Sequence, residues 1–247
     1  MNVVLFGATR GIGRALAREL AARGDRLFLI GRDLEDLARS ARDLEIRVGA
    51  GSGPIGVARA DLLEPEGFVP ALDAAWAALG RVDAVVLAAG LFDTQDALER
   101  DRGRTRRLLE ADFSGSVLFC EEARERLLAQ GGGKLCVLSS VAGERGRKPV
   151  VLYGAAKGGL TRYLEGLDHR FHARGLRVVT VKPGFVRTSM TEGLPEPPFA
   201  ADPEPVARLV VRALDRGTPV VYVTPIWRWV MLVVRHLPRA VLRRVGF

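Results

Sequence analysis

The chain has 247 residues, 48% of them hydrophobic, which is enough to bury one large core in a single domain. Its two cysteines, Cys120 and Cys136, lack metal-ligand spacing, so neither a disulfide framework nor a metal site is indicated. The formal net charge of +8 would suit a nucleic acid, an anionic membrane surface or a phosphorylated ligand, but no recognisable nucleic-acid-binding module is present and we expect no nucleic-acid partner. No export signal precedes the first apolar run, so we expect a cytoplasmic protein.

A glycine-rich loop follows the first predicted strand, residues 3–6, and opens a helix of apolar periodicity. Gly7 permits a tight turn, Gly11 lets the backbone approach a pyrophosphate, and Gly13 allows the helix to pack closely on the strand. The amide groups at the helix N-terminus would bind the anion. Strand, glycines and helix in this order predict a dinucleotide site whose residues are Gly7, Thr9, Arg10, Gly11, Ile12 and Gly13.

The second predicted strand, residues 27–30, ends at Gly31 and Arg32, where folds of this kind bind the adenosine ribose. An acidic residue at this point would indicate NAD, and none is present. Arg32, with Arg10 nearby, offers guanidinium groups suited to a 2'-phosphate, so NADP(H) is favoured over NAD(H). The alternative is that Arg32 only begins a surface helix.

A third, weaker strand near residues 55–58 precedes Asp61 and Leu62, and a strong fourth strand at residues 82–88 ends in Ala89 and Gly90. The fifth strand, from residue 134, ends in the hydroxyl groups of Ser139 and Ser140.

Tyr153 opens the next helix, and Lys157 follows four residues later on the same helical face. The Lys157 ammonium would favour the ionised phenol, whose pKa is ordinarily about 10. Such a phenol could exchange a proton with a substrate oxygen that also accepts a hydrogen bond from Ser140.

These motifs together resemble the short-chain dehydrogenase/reductase family over essentially the whole chain. The resemblance implies an α/β fold, a doubly wound parallel sheet of about seven strands with helices on both faces (Rossmann fold). It implies that Ser140, Tyr153 and Lys157 are catalytic, with Ser140 preferred over Ser139 because of its spacing to Tyr153. It also implies further cofactor-binding residues, at the adenosine end and at the nicotinamide end: Asp61, Leu62, Ala89, Gly90, Tyr153, Lys157, Pro183, Gly184, Val186 and Thr188.

The chain departs from the family pattern at two positions. Ala88 stands where the family usually has Asn. Asp112, on the helix before the fifth strand, stands where the family often has an Asn that anchors a water leading to the Lys. Asp112 is therefore a candidate site residue whose carboxylate adds negative charge beside Lys157.

We expect one domain over residues 1–224, with a proline-rich substrate lid at 189–203, followed by a basic C-terminal segment at 225–247. In helical projection one side of this segment is basic, and the other is apolar with Trp229 and Val233. It is too short to span a bilayer and suits a membrane interface, and Pro238 would interrupt it. The alternative is that it packs on a partner subunit or over the active site.

This segment, with residues 143–147 and Lys182, resembles one branch of the family, the reductase component of decaprenylphosphoryl-ribose 2-epimerase. The likeness implies a polyprenyl-phosphate-linked keto-sugar as substrate, with Arg145, Arg147 and Lys148 as partners for its phosphate, and peripheral contact with the inner face of the membrane. A soluble ketone or alcohol oxidoreductase and a non-catalytic NADP-binding sensor remain as alternatives, and the intact Tyr-Lys pair argues against the sensor.

The family resemblance also implies a homo-dimer or homo-tetramer. Its usual dimer face would be formed by helices at residues 105–130 and 154–174. The second of these carries an apolar stripe, part of which must belong to the core: Leu160, Tyr163, Leu164, Leu167 and Phe171.

Overall fold

The computed structural model describes residues 1–48 and 53–244. A seven-stranded sheet in the order β3-β2-β1-β4-β5-β6-β7 forms its centre, and every neighbouring pair of strands is parallel. The strands are β1 Asn2–Phe6, β2 Arg26–Gly31, β3 Gly56–Arg59, β4 Ala84–Leu87, β5 Gly133–Leu138, β6 Leu176–Pro183 and β7 Val220–Val223. The predicted doubly wound parallel sheet is confirmed.

Helices connect the strands and cover both faces of the sheet. They are α1 Gly11–Ala22, α2 Leu34–Val48, α3 Phe68–Leu79, α4 Gln95–Arg100, α5 Arg102–Leu109, α6 Ser116–Ala129, α7 Val151–Phe171, α8 Pro203–Arg216, α9 Ile226–His236 and α10 Arg239–Arg244. None of the described helices is both long and apolar enough to cross a membrane.

Alternate residues of each strand supply two separate cores, because successive side chains of a strand point to opposite faces. In β1, Val3 and Leu5 pack with apolar residues of α1, α2 and α8, whereas Val4 and Phe6 pack with those of α3, α6 and α7. All four side chains are at most 1% exposed. Both faces of the sheet are therefore closed to solvent, and ligands must bind at its edges or ends.

The order of the strands reverses at β1, which lies between β2 and β4. A crevice opens at such a point beyond the carboxyl ends of the strands. The loops after β1, β4, β5 and β6 meet there, so this topology places the glycine loop near the residues that follow β5.

The helix predicted for residues 105–130 is interrupted. A π-helical turn, Glu110–Gly115, lies between α5 and α6. Gly115 packs against the backbone of Leu62, since a Cβ there would lie 1.9 Å from the Leu62 carbonyl oxygen. The prediction of one continuous helix over residues 105–130 missed this turn.

The apolar stripe predicted on α7 lies in the core of the single chain. Leu160, Leu164, Leu167 and Phe171 are at most 8% exposed, because they pack on the core that α3 and α6 share. Tyr163 is partly buried beside them and donates a hydrogen bond to Glu121. Four of these side chains therefore belong to the core of the single chain, and Tyr163 packs against them.

Candidate active site

A cavity of about 1250 Å³ opens at the carboxyl ends of the central strands. It extends from Gly31 and Arg32, past the glycine loop, to Ser140, Tyr153 and Lys157. Every residue predicted to bind the cofactor lines it: Gly7, Thr9, Arg10, Gly11, Ile12, Gly13, Arg32, Asp61, Leu62, Ala89, Gly90, Tyr153, Lys157, Pro183, Gly184, Val186 and Thr188. No group of three or more His, Cys, Asp or Glu residues that could hold a metal ion occurs within the described residues.

The glycine loop is shaped by close contacts that exclude side chains. Gly7 has a φ of +95°, and a Cβ there would lie 2.5 Å from the amide nitrogen of Ala89. At Gly13 a Cβ would lie 1.9 Å from the carbonyl oxygen of Gly7, so only glycine lets α1 approach β1 this closely. Arg10 is the N-cap residue of α1, and its side chain makes no capping hydrogen bond to the first amide groups of the helix. The loop can hold a pyrophosphate.

At the ribose end of the cavity, Arg32 is exposed and Arg10 lies 3.6 Å from a carboxylate oxygen of Asp36. Asp33 accepts hydrogen bonds from two amide groups in the first turn of α2, so its carboxylate caps that helix. The hydrogen bond from Arg39 lowers the pKa of Asp36. The sequence pattern indicated the two arginines but not these carboxylates, which also belong to this corner.

Ser140, Tyr153 and Lys157 meet on the cavity wall. Ser140 follows β5, and its hydroxyl accepts a hydrogen bond from the amide of Ala142. Burial raises the pKa of Tyr153, while the Lys157 charge and a hydrogen bond with Ser140 lower it. The Lys157 ammonium lies 5.8 Å from the centre of the Tyr153 ring. The structure therefore brings the three predicted residues together on one wall of the cavity.

Ser139 has a different position. Its hydroxyl donates to the backbone carbonyl of Lys157 and lies 2.7 Å from the hydroxyl of Thr161. Ser139 therefore ties the end of β5 to α7, while Ser140 remains available beside Tyr153. Phe92 packs edge-on against Tyr153, at 5.1 Å between ring centres, a contact that the sequence did not predict.

Asp112 lies in the π-helical turn behind the cavity wall and is fully buried. One of its oxygens accepts a hydrogen bond from the amide of Leu91 at 2.6 Å, and the other lies 3.5 Å from the Lys157 ammonium. Gly90 lies beside this pair, and a Cβ there would lie 3.0 Å from Asp112 and 3.2 Å from Lys157. The structure therefore places Asp112 against Lys157.

The segment predicted to be a substrate lid covers one side of the cavity. Met190, Leu194 and Pro195 line the cavity. Arg187 pairs with Glu196 and, at 3.0 Å, with Asp202, which fastens both ends of the segment.

The C-terminal segment packs on the protein through a face of α9 that the sequence pattern did not single out. Trp227, Met231 and Val234 are at most 7% exposed, and Trp227 lines the cavity. Its indole lies against Gly184, where a Cβ would be 2.0 Å from the indole nitrogen. The predicted break is confirmed, because α9 ends at His236, two residues before Pro238.

The three cations predicted to bind a phosphate are separated in the structure. Arg147 and Lys148 line the cavity. Lys148 also donates a hydrogen bond to the carbonyl of Arg243 at 2.6 Å. Arg145 lies outside the cavity lining and donates to the carbonyl of Leu237, because the C-terminal segment passes beside it. It is therefore an anchor for that segment rather than a cavity residue.

A partly buried charged cluster connects this segment to the loop after β5 and to β6 and β7. Glu144 pairs with Lys182, accepts a hydrogen bond from Tyr222 at 2.9 Å and lies 3.3 Å from Arg235. Burial raises the pKa of Glu144, but the hydrogen bond from Lys182 and the other partners bring it below its ordinary value. Burial and the contact with Glu144 raise the pKa of Tyr222 to about 12. No sequence pattern pairs Glu144 with Lys182, so this cluster was not predicted.

Known proteins resemble this chain along most of its length. A family model described as short chain dehydrogenase matches residues 1–198. An uncharacterised oxidoreductase of Streptomyces coelicolor is 36% identical over 99% of this chain and 95% of its own length, and one of Mycobacterium tuberculosis is 34% identical over 98% and 96%. A solved short-chain dehydrogenase/reductase family protein superposes with a TM-score of 0.76 at 27% identity, covering 90% of this chain and 94% of that one.

Proposed function

The chain belongs to the short-chain dehydrogenase/reductase family of NAD(P)-dependent oxidoreductases, and we propose that it uses NADP(H) to interconvert a carbonyl and a secondary alcohol on a polyprenyl-phosphate-linked sugar. The observation that carries this proposal is the meeting of Ser140, Tyr153 and Lys157 on the wall of the cavity that the glycine loop also lines.

The residues present fit a dinucleotide. The glycine loop and the N-terminus of α1 would hold its pyrophosphate, since Gly7 and Gly13 let the loop and the helix pack closely on the strands and Gly11 would let the backbone approach the anion. Arg32 and Arg10 would hold a 2'-phosphate at the adenosine end. Val186 and Thr188 also line the cavity, Thr188 beside Gly11, and would bind the carboxamide of the nicotinamide.

The bound cofactor supplies the hydride in reduction and accepts it in oxidation. In reduction, Tyr153 donates its hydroxyl proton to the carbonyl oxygen, and Ser140 donates a hydrogen bond to the same oxygen. Lys157 stabilises the tyrosinate that remains and would hold the nicotinamide ribose. In oxidation each proton transfer runs in reverse.

The substrate class is supported by the cations and by the C-terminal segment. Arg147 and Lys148 line the cavity and would bind a phosphate. Trp229 and Val233, on the side of α9 turned away from the protein, are each 62% exposed, and residues 225–247 contain no acidic side chain. This face suits an anionic membrane surface, so we place the protein in the cytoplasm with peripheral contact to the membrane. Assembly as a homo-dimer or homo-tetramer remains part of the proposal.

Cofactor choice is tested by calorimetry with NADPH and NADH on the parent, Arg32→Ala and the control Arg208→Ala, which changes an exposed arginine outside the cavity. Loss of one charge-assisted contact, about 1.5–3 kcal/mol, should weaken NADPH binding by roughly 10- to 100-fold and leave NADH binding unchanged. Equal loss for both nucleotides, or tighter binding of NADH by the parent, would refute the preference for NADP(H).

The reaction is tested with Tyr153→Phe, which should abolish turnover while NADPH still binds. Substrate class is tested by comparing extracted lipid-linked keto-sugar with a panel of soluble ketones. Turnover of the panel alone would leave an ordinary soluble ketone reductase, and binding of NADPH without any turnover would point to a sensor.

Membrane contact is tested by sedimentation with phosphatidylglycerol vesicles and with phosphatidylcholine vesicles. The parent should sediment with the anionic vesicles only, and Trp229→Ser should reduce this binding. If the parent sediments with neither kind of vesicle, the proposed membrane contact is refuted.

A further inference from the structure

Asp112 is held in place by the chain around it. The π-helical turn brings the side chain inward, the amide of Leu91 binds one carboxylate oxygen, and the side chain is completely buried. The other oxygen has no hydrogen-bond partner among the described residues and lies 3.5 Å from the Lys157 ammonium. The missing side chain at Gly90 leaves the space in which the two groups meet.

This arrangement changes the charge that Tyr153 experiences. A buried ammonium alone would stabilise the tyrosinate strongly. With a carboxylate 3.5 Å away, the two groups form a pair of zero net charge, and the field of such a pair at the phenol is much weaker than that of a single charge. An Asn in place of Asp112 would leave the ammonium uncompensated.

Other charged groups that line the same cavity come from different elements. Arg147 and Lys148 precede α7, Asp96 and Glu99 belong to α4, and Arg10, Arg32 and Asp61 also line the cavity, so these seven side chains sum to a formal charge of +1. The pair of Lys157 and Asp112 is buried, whereas Lys148 and both α4 carboxylates reach solvent, where their charges are screened.

We infer that Asp112 is a positioning residue that acts through Lys157: its carboxylate neutralises the ammonium, keeps Tyr153 protonated at neutral pH and so extends the pH range in which Tyr153 can donate a proton during carbonyl reduction. The statement about reduction rests on the proposed function, and the statement about the proton on Tyr153 does not. Asp112 itself raises the pKa of Tyr153, in the same direction as burial and against Lys157.

The direct test is a titration of tyrosinate absorbance in the protein without cofactor. The chain has three tyrosines, and the pKa values of Tyr163 and Tyr222 are both raised, so the part of the signal lost in Tyr153→Phe identifies Tyr153. Asp112→Asn should lower the Tyr153 midpoint by about one pH unit or more. Glu99→Gln, which removes a carboxylate of the same cavity that does not contact Lys157, should leave it in place.

Equal midpoints in the parent and Asp112→Asn, or no Tyr153 transition in either protein below the pH of alkaline unfolding, would overturn the inference. A thermal melt checks that the variant folds, and Asp112→Ser, which also removes the charge, replaces it if it does not.

The second readout is the pH profile of turnover. In Asp112→Asn the alkaline limit of reduction and the rise of oxidation should both move to lower pH, whereas a merely structural defect would lower kcat and leave the profile in place. A shifted tyrosine midpoint in a protein without turnover would retain the inference about the proton and refute the proposed function. Turnover in Asp112→Asn with an unmoved Tyr153 midpoint and an unmoved pH profile would retain the proposed function and refute the inference about Asp112.

Discussion

Glu144 is the single counter-charge of the buried Lys182 ammonium among the described residues, which makes Glu144→Gln a sharp test of the cluster at the base of α9. The side chains of Glu144 and Lys182 are 4% and 8% exposed. The Gln side chain has the same size and keeps an oxygen that can accept a hydrogen bond from Tyr222. It removes the negative charge of Glu144.

The expected cost follows from burial. Removing one partner of a buried ion pair costs about 3–5 kcal/mol, because the other charge is left in a medium of low polarity. The Gln oxygen can still accept a hydrogen bond from Lys182, so we expect the lower end, about 3 kcal/mol. For a chain of this length that corresponds to a fall in Tm of about 6–12 °C. Arg235→Ala removes a partner that is 42% exposed, and should cost about 1 kcal/mol or less.

The assay is thermal unfolding of the parent, both single variants and the double variant Glu144→Gln, Lys182→Met. The double variant removes both charges at similar volume and should regain most of the lost stability. A Tm for Glu144→Gln within about 2 °C of the parent, or a double variant no more stable than the single one, would refute this account of the cluster.

The same cluster gives the stability a pH dependence with a definite sign. The pKa of Glu144 in the folded protein is below its ordinary value, so its contribution is present above that ordinary value, about 4.3, and is lost as the pH falls through the folded value. Between about pH 5 and pH 3 the parent should therefore lose more stability than Glu144→Gln. Parallel curves would contradict the lowered pKa.

Two further changes test the packing. Gly184→Ala would place a Cβ 2.0 Å from the indole nitrogen of Trp227, so we expect lower stability and altered tryptophan fluorescence. Gly166→Ala lies on α7 with nothing within 4 Å of the added Cβ and should stabilise the protein by up to about 1 kcal/mol. Equal melting temperatures for the two variants would contradict this reasoning. Burial raises the pKa of Cys136 to about 12 and also raises that of Cys120, so neither thiol should react with a disulfide reagent at pH 8 until the protein unfolds, and fast labelling of the native protein would show that the core opens.

Local patterns predicted most of the sheet and the central residues of the candidate site. The strands predicted at residues 3–6 and 27–30 lie within β1 and β2, because buried parallel strands have short continuous apolar runs. Tyr153 and Lys157 share a helical face because their spacing alone determines it. In each case the information is contained within a few neighbouring residues.

Contacts between distant segments could not be predicted in this way. Nothing near Glu144 in the sequence indicates Lys182 or Arg235, and nothing near Asp112 indicates that a π-helical turn will bury it. On α9 the helical projection divided the residues into a basic side and an apolar side by hydropathy alone. The helix is apolar on more than one side, so hydropathy could not tell which tryptophan, Trp227 or Trp229, faces the protein.

The contact between Trp227 and Gly184 bears on where this gene can be shortened. A shortened chain that ends at residue 224 would keep all seven strands, both cores and the whole Ser-Tyr-Lys trio, but it would lack Trp227, which lines the cavity. The predicted boundary at residue 224 therefore separates the cavity from one of its lining residues. Because Trp227 of α9 forms part of the cavity wall, fusions or deletions there should be treated as active-site mutations.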